Sequence, residues 1–157
     1  MKNKIDFEKI SELIGKLKTG NQTIAIMESC TGGGLANSIT NISGASDVFE
    51  FGAVTYSNKA KIALGGEKMK KAIDSYSVYS KEVAETMAEA IVKFTSTTYG
   101  IGVTGQLGLN NSEVYFSIYD STKKTYDSVH LSLEELERQE NKAIIINEII
   151  ERLFIVS

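Results

Sequence analysis

Residues 23–34 of the chain read Thr-Ile-Ala-Ile-Met-Glu-Ser-Cys-Thr-Gly-Gly-Gly, and this stretch decides the fold class. The run from Thr23 to Met27 is β-branched and apolar, which predicts a strand buried on both faces. The apolar spacing of residues 35–42 then predicts a helix that ends near Gly44. A buried strand that turns through glycines into a helix is typical of α/β folds.

Outside this stretch the chain alternates helical and extended patterns, which predicts parallel strands joined by right-handed crossovers. The other predicted strands are residues 48–56, 99–103, 113–119 and 126–133. The other predicted helices are residues 10–17, 58–64, 80–94 and 136–154. The last two strands are joined by a short turn at 120–123, so one strand is antiparallel and the five-stranded sheet is mixed.

Helix ends and helix faces carry further predictions. Asn58 is expected to cap a short helix that Gly65-Gly66 stops, and Ser80 is expected to cap the next helix. The predicted core face of that next helix is Val83, Ala84, Met87, Ala88, Ile91 and Phe94. The apolar residues of the last helix spread beyond one narrow stripe, which indicates either self-association or burial from two sides.

The composition indicates one globular domain over residues 1–157. The net charge of −3 gives no electrostatic footprint for nucleic acid, and Lys68, Lys70 and Lys71 are interpreted as a solvated helix face. One cysteine and one histidine, Cys30 and His130, cannot supply the four ligands of a structural zinc site, so no metal is expected. No run approaches a signal peptide or a membrane span, so we expect a cytoplasmic protein without a membrane partner.

Three predicted strands end in polar residues, namely Glu28-Ser29, Tyr56-Ser57 and Thr104-Gly105. Ligands of open parallel sheets collect at the carboxyl ends of the strands, so these endings are expected to converge on one crevice. The glycine turn at 32–34 opens a helix whose N-terminus favours a phosphate or a developing oxyanion. The alternative is purely structural, with Thr31 as a helix cap and the glycines as a turn.

Ser29 is the candidate nucleophile of this crevice, and it needs a base. His130 is interpreted as a surface or hydrogen-bonded strand residue, so a Ser-His-Asp triad is not expected. Lys61 lies five residues after Tyr56 and can act as the base if burial lowers its pKa. Tyr56 can relay a proton or hold the lysine; the alternative is that Lys61 is a solvated surface lysine.

Two other patterns are interpreted as structural. Residues 100–105 match G-x-G-x-x-G, but a strand precedes and follows them where a dinucleotide site needs a helix. Cys30 can rival Ser29 as the nucleophile, although a lone cysteine beside a glycine turn is more often a buried small hydrophobe.

Four segments together resemble the C-terminal domain of the competence-damage-inducible (CinA) family. They are Glu-Ser-Cys-Thr-Gly-Gly-Gly at 28–34, Ser-Gly-Ala-Ser-Asp-Val-Phe at 43–49, Val-Thr-Tyr-Ser-Asn-Lys-Ala-Lys at 54–61 and Val-Thr-Gly at 103–105. The resemblance implies a three-layer α/β/α fold with a mixed, mostly parallel five-stranded sheet. It also implies hydrolysis of the carboxamide of nicotinamide mononucleotide to nicotinate mononucleotide and ammonia, a reaction of pyridine nucleotide salvage.

The same resemblance implies roles for individual residues and requires no cofactor. Ser29 is the implied nucleophile, and Tyr56 and Lys61 are its implied activating partners. The implied substrate-binding residues are Glu28, Cys30, Thr31, Gly32, Gly33, Ser46, Thr104, Gly105 and Arg138. Lys142 lies four residues after Arg138, and both can reach a phosphate; the alternative is that they are two solvated charges on the helix.

The sequence departs from the family pattern in two places. Residues 104–108 lack the proline that usually follows Thr-Gly, and Ser77-Val78-Tyr79-Ser80 replaces a Gly-Ala-Val-Ser segment. These differences leave two alternatives, a nucleotide-binding module without catalysis and an amidase for another small amide. The expected partners are a small-molecule nucleotide and a second copy of the chain in a homodimer.

Overall fold

The structure is a computed structural model that describes residues 3–108 and 110–157. Its helices are α1 (Phe7–Thr19), α2 (Gly34–Thr40), α3 (Asn58–Tyr76), α4 (Lys81–Thr95) and α5 (Arg138–Val156). Its strands are β1 (Ile24–Glu28), β2 (Phe49–Val54), β3 (Tyr99–Leu107), β4 (Ser112–Asp120) and β5 (Thr125–Leu133). A 3₁₀ turn, Ala45–Asp47, precedes β2.

The five strands form one mixed sheet in the order β2-β1-β3-β4-β5, which confirms the predicted fold class. β1 pairs in parallel with both β2 and β3, whereas β4 is antiparallel to β3 and to β5. β4 is therefore the one strand of this sheet that runs against the others. All five residues of β1 are buried, as expected for a strand covered on both faces.

Two apolar cores lie on opposite faces of the sheet. α1, α2 and α5 pack on one face, and their aliphatic side chains meet Ile26, Ile101 and Phe116 of the sheet. α3 and α4 cover the other face through a smaller core that includes Met27 and Met87. The result is a three-layer α/β/α arrangement. No helix in the described ranges combines the length and apolar character that a membrane crossing needs.

The glycines of the G-x-G-x-x-G match serve helix packing. A Cβ atom on Gly100 would lie 2.1 Å from the carbonyl oxygen of Ala88, and one on Gly102 would lie 2.3 Å from that of Ala84. Both carbonyls belong to α4, so this helix can approach β3 closely only where side chains are missing. The structural interpretation of this motif is confirmed.

The helix break predicted at Gly65-Gly66 is confirmed: Gly66 adopts the non-helical values φ 68° and ψ −154°, and a further helical segment that was not predicted continues beyond this kink to Tyr76. Two other predictions about helices were wrong in detail. Ser57 rather than Asn58 caps α3, because its hydroxyl accepts from the backbone N–H of Ala60. Phe94 lies outside the core with 61% of its surface exposed, and its ring packs on Phe51.

The wide apolar surface of α5 faces the chain's own core. Its buried residues include Ile144, Ile145, Ile146, Ile149, Ile150 and Leu153. Burial against α1 and the sheet therefore accounts for this pattern, and the argument from α5 for self-association is lost. The homodimer itself stays a prediction.

Candidate active site

The carboxyl ends of β2, β1 and β3 meet at one cleft of about 200 Å³. Its lining residues are Ser29, Cys30, Tyr56, Asn58, Lys61, Val78, Tyr79, Gly105, Gln106, Leu107 and Arg138. The predicted convergence of the three strand ends is therefore confirmed, and Ser29 and Lys61 lie in the same cleft.

Ser29 and Lys61 are in direct contact. The amine nitrogen Nζ of Lys61 lies 3.0 Å from the hydroxyl oxygen Oγ of Ser29. It also donates to the carbonyl oxygen of Thr55 at 2.8 Å and lies 3.5 Å from that of Tyr56. A neutral amine has two N–H groups and one lone pair, so it can donate to two carbonyls and accept the serine proton.

Burial favours the neutral form of this amine. Only 1% of the Lys61 surface is exposed, and no carboxylate pairs with it within the described residues. Removal from water lowers the pKa of Lys61 below its ordinary value of 10.5. A desolvated lysine next to a hydroxyl is the arrangement found in serine–lysine catalytic pairs.

The local sequence explains how Lys61 reaches the cleft. β2 ends at Val54, and Ser57 begins α3 with its side chain bonded to the N–H of Ala60 at 3.0 Å. Lys61 lies one turn inside the helix, where its backbone N–H donates to the carbonyl of Ser57. Because side chains tilt toward the N-terminus of a helix, the lysine points back to the strand end and to Ser29.

The position of Glu28 does not support the predicted substrate contact, because its carboxylate caps α2. It accepts from the backbone N–H groups of Leu35 and Ala36 at 2.9 and 3.0 Å and from the Thr31 hydroxyl at 2.6 Å. Glu28 and Thr31 are each 1% exposed. The helix end expected to bind a ligand anion therefore already holds an anion of the chain, and the cap fixes the turn that carries Ser29.

Tyr56 lines the cleft but contacts Lys61 through its backbone. Its carbonyl oxygen approaches the amine, whereas 65% of the residue's surface is exposed. Its phenol makes no hydrogen bond to another described residue. The predicted activating contact through the Tyr56 hydroxyl is thus absent from the chain on its own, and the ring remains available to a ligand.

Cys30 is a poor rival to Ser29. Burial raises the pKa of its thiol to about 12, so the nucleophilic thiolate is scarce near neutral pH. The lone cysteine behaves as the small buried residue that its sequence context indicates.

A cationic side chain lines the cleft next to the end of β3. Arg138, the first residue of α5, donates to the carbonyl of Leu107 and has no carboxylate partner in the described ranges. Gly105 lines the same wall, where a Cβ atom would lie 2.6 Å from the carbonyl oxygen of Glu113. Thr104 is fully buried, and its hydroxyl donates to the carbonyl of Val78 at 2.9 Å, so it supports the wall and does not face the cleft.

Gly32, Gly33 and Ser46 do not line the cleft. The two glycines have φ of 62° and 91°, values that favour glycine, and they shape the turn after Ser29. Ser46 is exposed in the 3₁₀ turn before β2, at the end of the parallel strands opposite to Ser29. A substrate contact from Ser46 within one chain is therefore excluded.

His130 lies away from the cleft on β5. Its ring stacks on Tyr115 with centroids 4.4 Å apart, and its Nε2 contacts the Glu113 carboxylate. The interpretation of His130 as a hydrogen-bonded surface residue is confirmed, and it does not serve Ser29.

The model of the CinA C-terminal domain matches residues 7–154, nearly the whole chain. This chain belongs to the CinA C-terminal domain family. It is 45% identical over 105 residues to a Thermoanaerobacter pseudethanolicus protein named as competence-damage inducible, a match that covers 66% of this chain and 25% of that protein. A CinA-like protein of Flavobacterium psychrophilum is 40% identical over 107 residues, which cover 68% of this chain and 25% of the relative. The chain thus spans about a quarter of the length of these curated relatives.

Solved CinA superfamily proteins have the same fold. The protein from Escherichia coli superposes with a TM-score of 0.87 at 20% identity, over 95% of this chain and 88% of that one. The competence/damage inducible protein CihA from Agrobacterium tumefaciens gives 0.81 at 24% identity, over 92% and 93%. At these identities the likeness establishes the fold of the CinA domain.

Five residues line the cleft of this CinA domain but were not predicted from the sequence as site residues. They are Asn58, Val78, Tyr79, Gln106 and Leu107. Gln106 and Leu107 were missed because β3 continues four residues past Val103, the predicted end of the strand. Val78 and Tyr79 belong to the α3–α4 connection, and only tertiary packing brings this connection to the strand ends.

Proposed function

We propose that the chain is a nicotinamide-nucleotide amidohydrolase that converts nicotinamide mononucleotide and water into nicotinate mononucleotide and ammonia. The observation that carries this proposal is the 3.0 Å contact between Ser29 Oγ and a buried lysine amine that has no carboxylate partner among the described residues. Family membership adds support, and the substrate follows from the family resemblance.

Acylation needs a base, an oxyanion site and an acid. Neutral Lys61 takes the Ser29 proton while Oγ attacks the carboxamide carbon. The oxyanion lies against the turn after Ser29, where no described backbone carbonyl accepts from the N–H of Cys30 or Thr31. The Lys61 ammonium then protonates the leaving nitrogen, the C–N bond breaks, and ammonia departs from an acyl-Ser29 ester.

Deacylation uses the same groups in the reverse roles. Lys61 removes a proton from water as the oxygen attacks the ester, and the proton returns to Ser29 Oγ when the C–O bond breaks. Nicotinate mononucleotide leaves with its new carboxylate. Arg138, which enters the cleft without a carboxylate partner among the described residues, is suited to hold the phosphate of substrate and product.

The test is ammonia release from nicotinamide mononucleotide, with identification of the acid product. We expect Ser29→Ala to abolish turnover because no other activated hydroxyl touches Lys61. Ser11→Ala is the matched control, since that serine is exposed on α1 and does not line the cleft, and it should keep wild-type turnover.

Three results would contradict the proposal. Full turnover by Ser29→Ala would remove the nucleophile. Binding of the nucleotide by the wild-type chain without ammonia release would favour the non-catalytic module, and release of ammonia only from other amides would favour a different amidase.

A further inference from the structure

The connection between α3 and α4 forms one wall of the cleft, and it presents an aromatic side chain. Val78 and Tyr79 of this connection line the cleft together with Tyr56. Tyr79 is 43% exposed and Tyr56 is 65% exposed. Neither ring contacts another aromatic ring of the described residues, so both keep faces for a ligand.

The backbone of this connection is held in a conformation that side chains rarely adopt. Ser77 has φ 81° and ψ 150°, a region that belongs almost entirely to glycine. Such strain persists only where surrounding interactions fix it, and it concentrates at ligand clamps and catalytic sites.

Three hydrogen bonds fix the connection around the strained residue. The Ser80 hydroxyl donates to the Ser77 carbonyl at 2.8 Å, and the backbone N–H of Tyr79 donates to the Ser77 hydroxyl at 3.4 Å. The buried Thr104 hydroxyl donates to the Val78 carbonyl at 2.9 Å from β3. Tyr79 is therefore presented to the cleft from a fixed backbone, although its side chain is half open to solvent.

We propose that Tyr79 is a specificity-determining residue that selects substrates whose amide is attached to a cationic aromatic ring. The faces of tyrosine rings attract cations and stack on planar rings. The pyridinium of nicotinamide mononucleotide is both planar and positively charged. The cleft thus offers tyrosine faces to the cationic ring and Arg138 to an anionic phosphate, a pattern that complements a zwitterionic nucleotide.

This inference rests on the proposed function but is tested by binding, which is separate from turnover. Isothermal titration uses the Ser29→Ala chain, in which the ligand is not hydrolysed, and nicotinamide mononucleotide as the probe. Adding Tyr79→Val should raise Kd about tenfold through loss of the ring–cation contact, whereas Tyr79→Phe should keep Kd within about twofold. Tyr76→Val is the matched control because Tyr76 is also exposed but lines a different groove.

The reduced dihydro form of the nucleotide separates ring charge from general contact. Its ring is uncharged, so only stacking remains to be lost, and Tyr79→Val should raise its Kd by clearly less than the tenfold expected for the cationic form. The proposal would be overturned if Tyr79→Val left the Kd for nicotinamide mononucleotide unchanged, or if it weakened binding of both ring forms equally. It would also be overturned if the Ser29→Ala chain with Tyr79 intact did not bind nicotinamide mononucleotide at all.

Turnover distinguishes the two proposals. If the chain with Ser29 intact releases no ammonia while Kd still depends on Tyr79, the amidohydrolase proposal fails and the ring selection stands. If ammonia is released while Kd is indifferent to Tyr79, the reverse holds.

Discussion

Two lysines of the same helix, on either side of the kink at Gly66, have opposite environments. Lys61 is buried against three neutral oxygens, and its pKa is lowered because desolvation has no nearby carboxylate to oppose it. Lys68 is 59% exposed and is paired with the carboxylate of Glu89. The comparison teaches that this fold leaves the candidate base without a counter-ion among the described residues, whereas it gives one to a lysine that joins two helices.

Glu89, the partner of Lys68, belongs to a structural network of hydrogen bonds. Burial alone would raise the pKa of Glu89, but hydrogen bonds from Lys68, Tyr126 and Lys93 outweigh it and lower the pKa to about 2. Burial and the hydrogen bond to Glu89 raise the pKa of Tyr126. A perturbed pKa therefore does not identify a catalytic group by itself; here the catalytic candidate is Lys61, the buried lysine that has no acidic partner among the described residues.

The largest expected effect comes from removing the unpaired amine. Lys61→Met keeps the length of the side chain but cannot accept the Ser29 proton, so kcat/KM for ammonia release should fall about 10³-fold or more. Lys68→Met, on the same helix, should leave kcat/KM unchanged. Equal activities of the two variants would contradict a special role of Lys61. Melting temperatures of both variants would verify that the fold is retained.

A smaller effect is expected in stability at the paired site. Because the folded pKa of Glu89 lies below its ordinary value of 4.5, its charge stabilises the folded state fully above pH 4.5, and the contribution is lost as pH falls toward 2. Glu89→Gln should reduce the free energy of unfolding by about 1–2 kcal/mol at pH 7, after allowance for solvent screening of the exposed lysines.

Thermal or urea unfolding across pH 2–7 measures the difference in unfolding free energy between the wild-type chain and Glu89→Gln. It should shrink as the pH falls through the window between 4.5 and 2, while ammonia release near neutral pH stays at the wild-type level. Glu67→Gln, an exposed position on α3, is the matched control. A stability difference that persists undiminished to pH 2 would show that the network acts through packing rather than charge.

The sequence predicted the position of Lys61 beside Ser29 but did not predict the pairing of Lys68 with Glu89. Lys61 was predictable because it follows a strand end by one helical turn, and strand ends of parallel neighbours converge. The interpretation of Lys68 as part of a solvated helix face is confirmed by its 59% exposure, but its pairing with Glu89, 21 residues away on another helix, was missed. Pair formation across elements depends on how α3 and α4 pack, which local patterns do not contain.

The same limit explains the errors in the site. Glu28 next to Ser29 carries the chemistry of a ligand-binding group, but whether it caps α2 depends on the folded turn. Gly65-Gly66 does interrupt the helix as predicted, but the second helical segment, whose Met69 and Ala72 pack in the smaller core, was not predicted. The fold class and the contact between Ser29 and Lys61 were thus predictable, whereas the capping role of Glu28 was not.

The protonation state of Lys61 is the most direct test of this account. NMR titration of the side-chain Cε resonances of labelled lysine, with Lys61 assigned by the peak that Lys61→Met removes, gives its pKa in the folded chain. The account predicts a midpoint below the ordinary lysine value of 10.5. A midpoint at or above 10.5 would mean that the amine stays charged beside Ser29 and cannot take its proton.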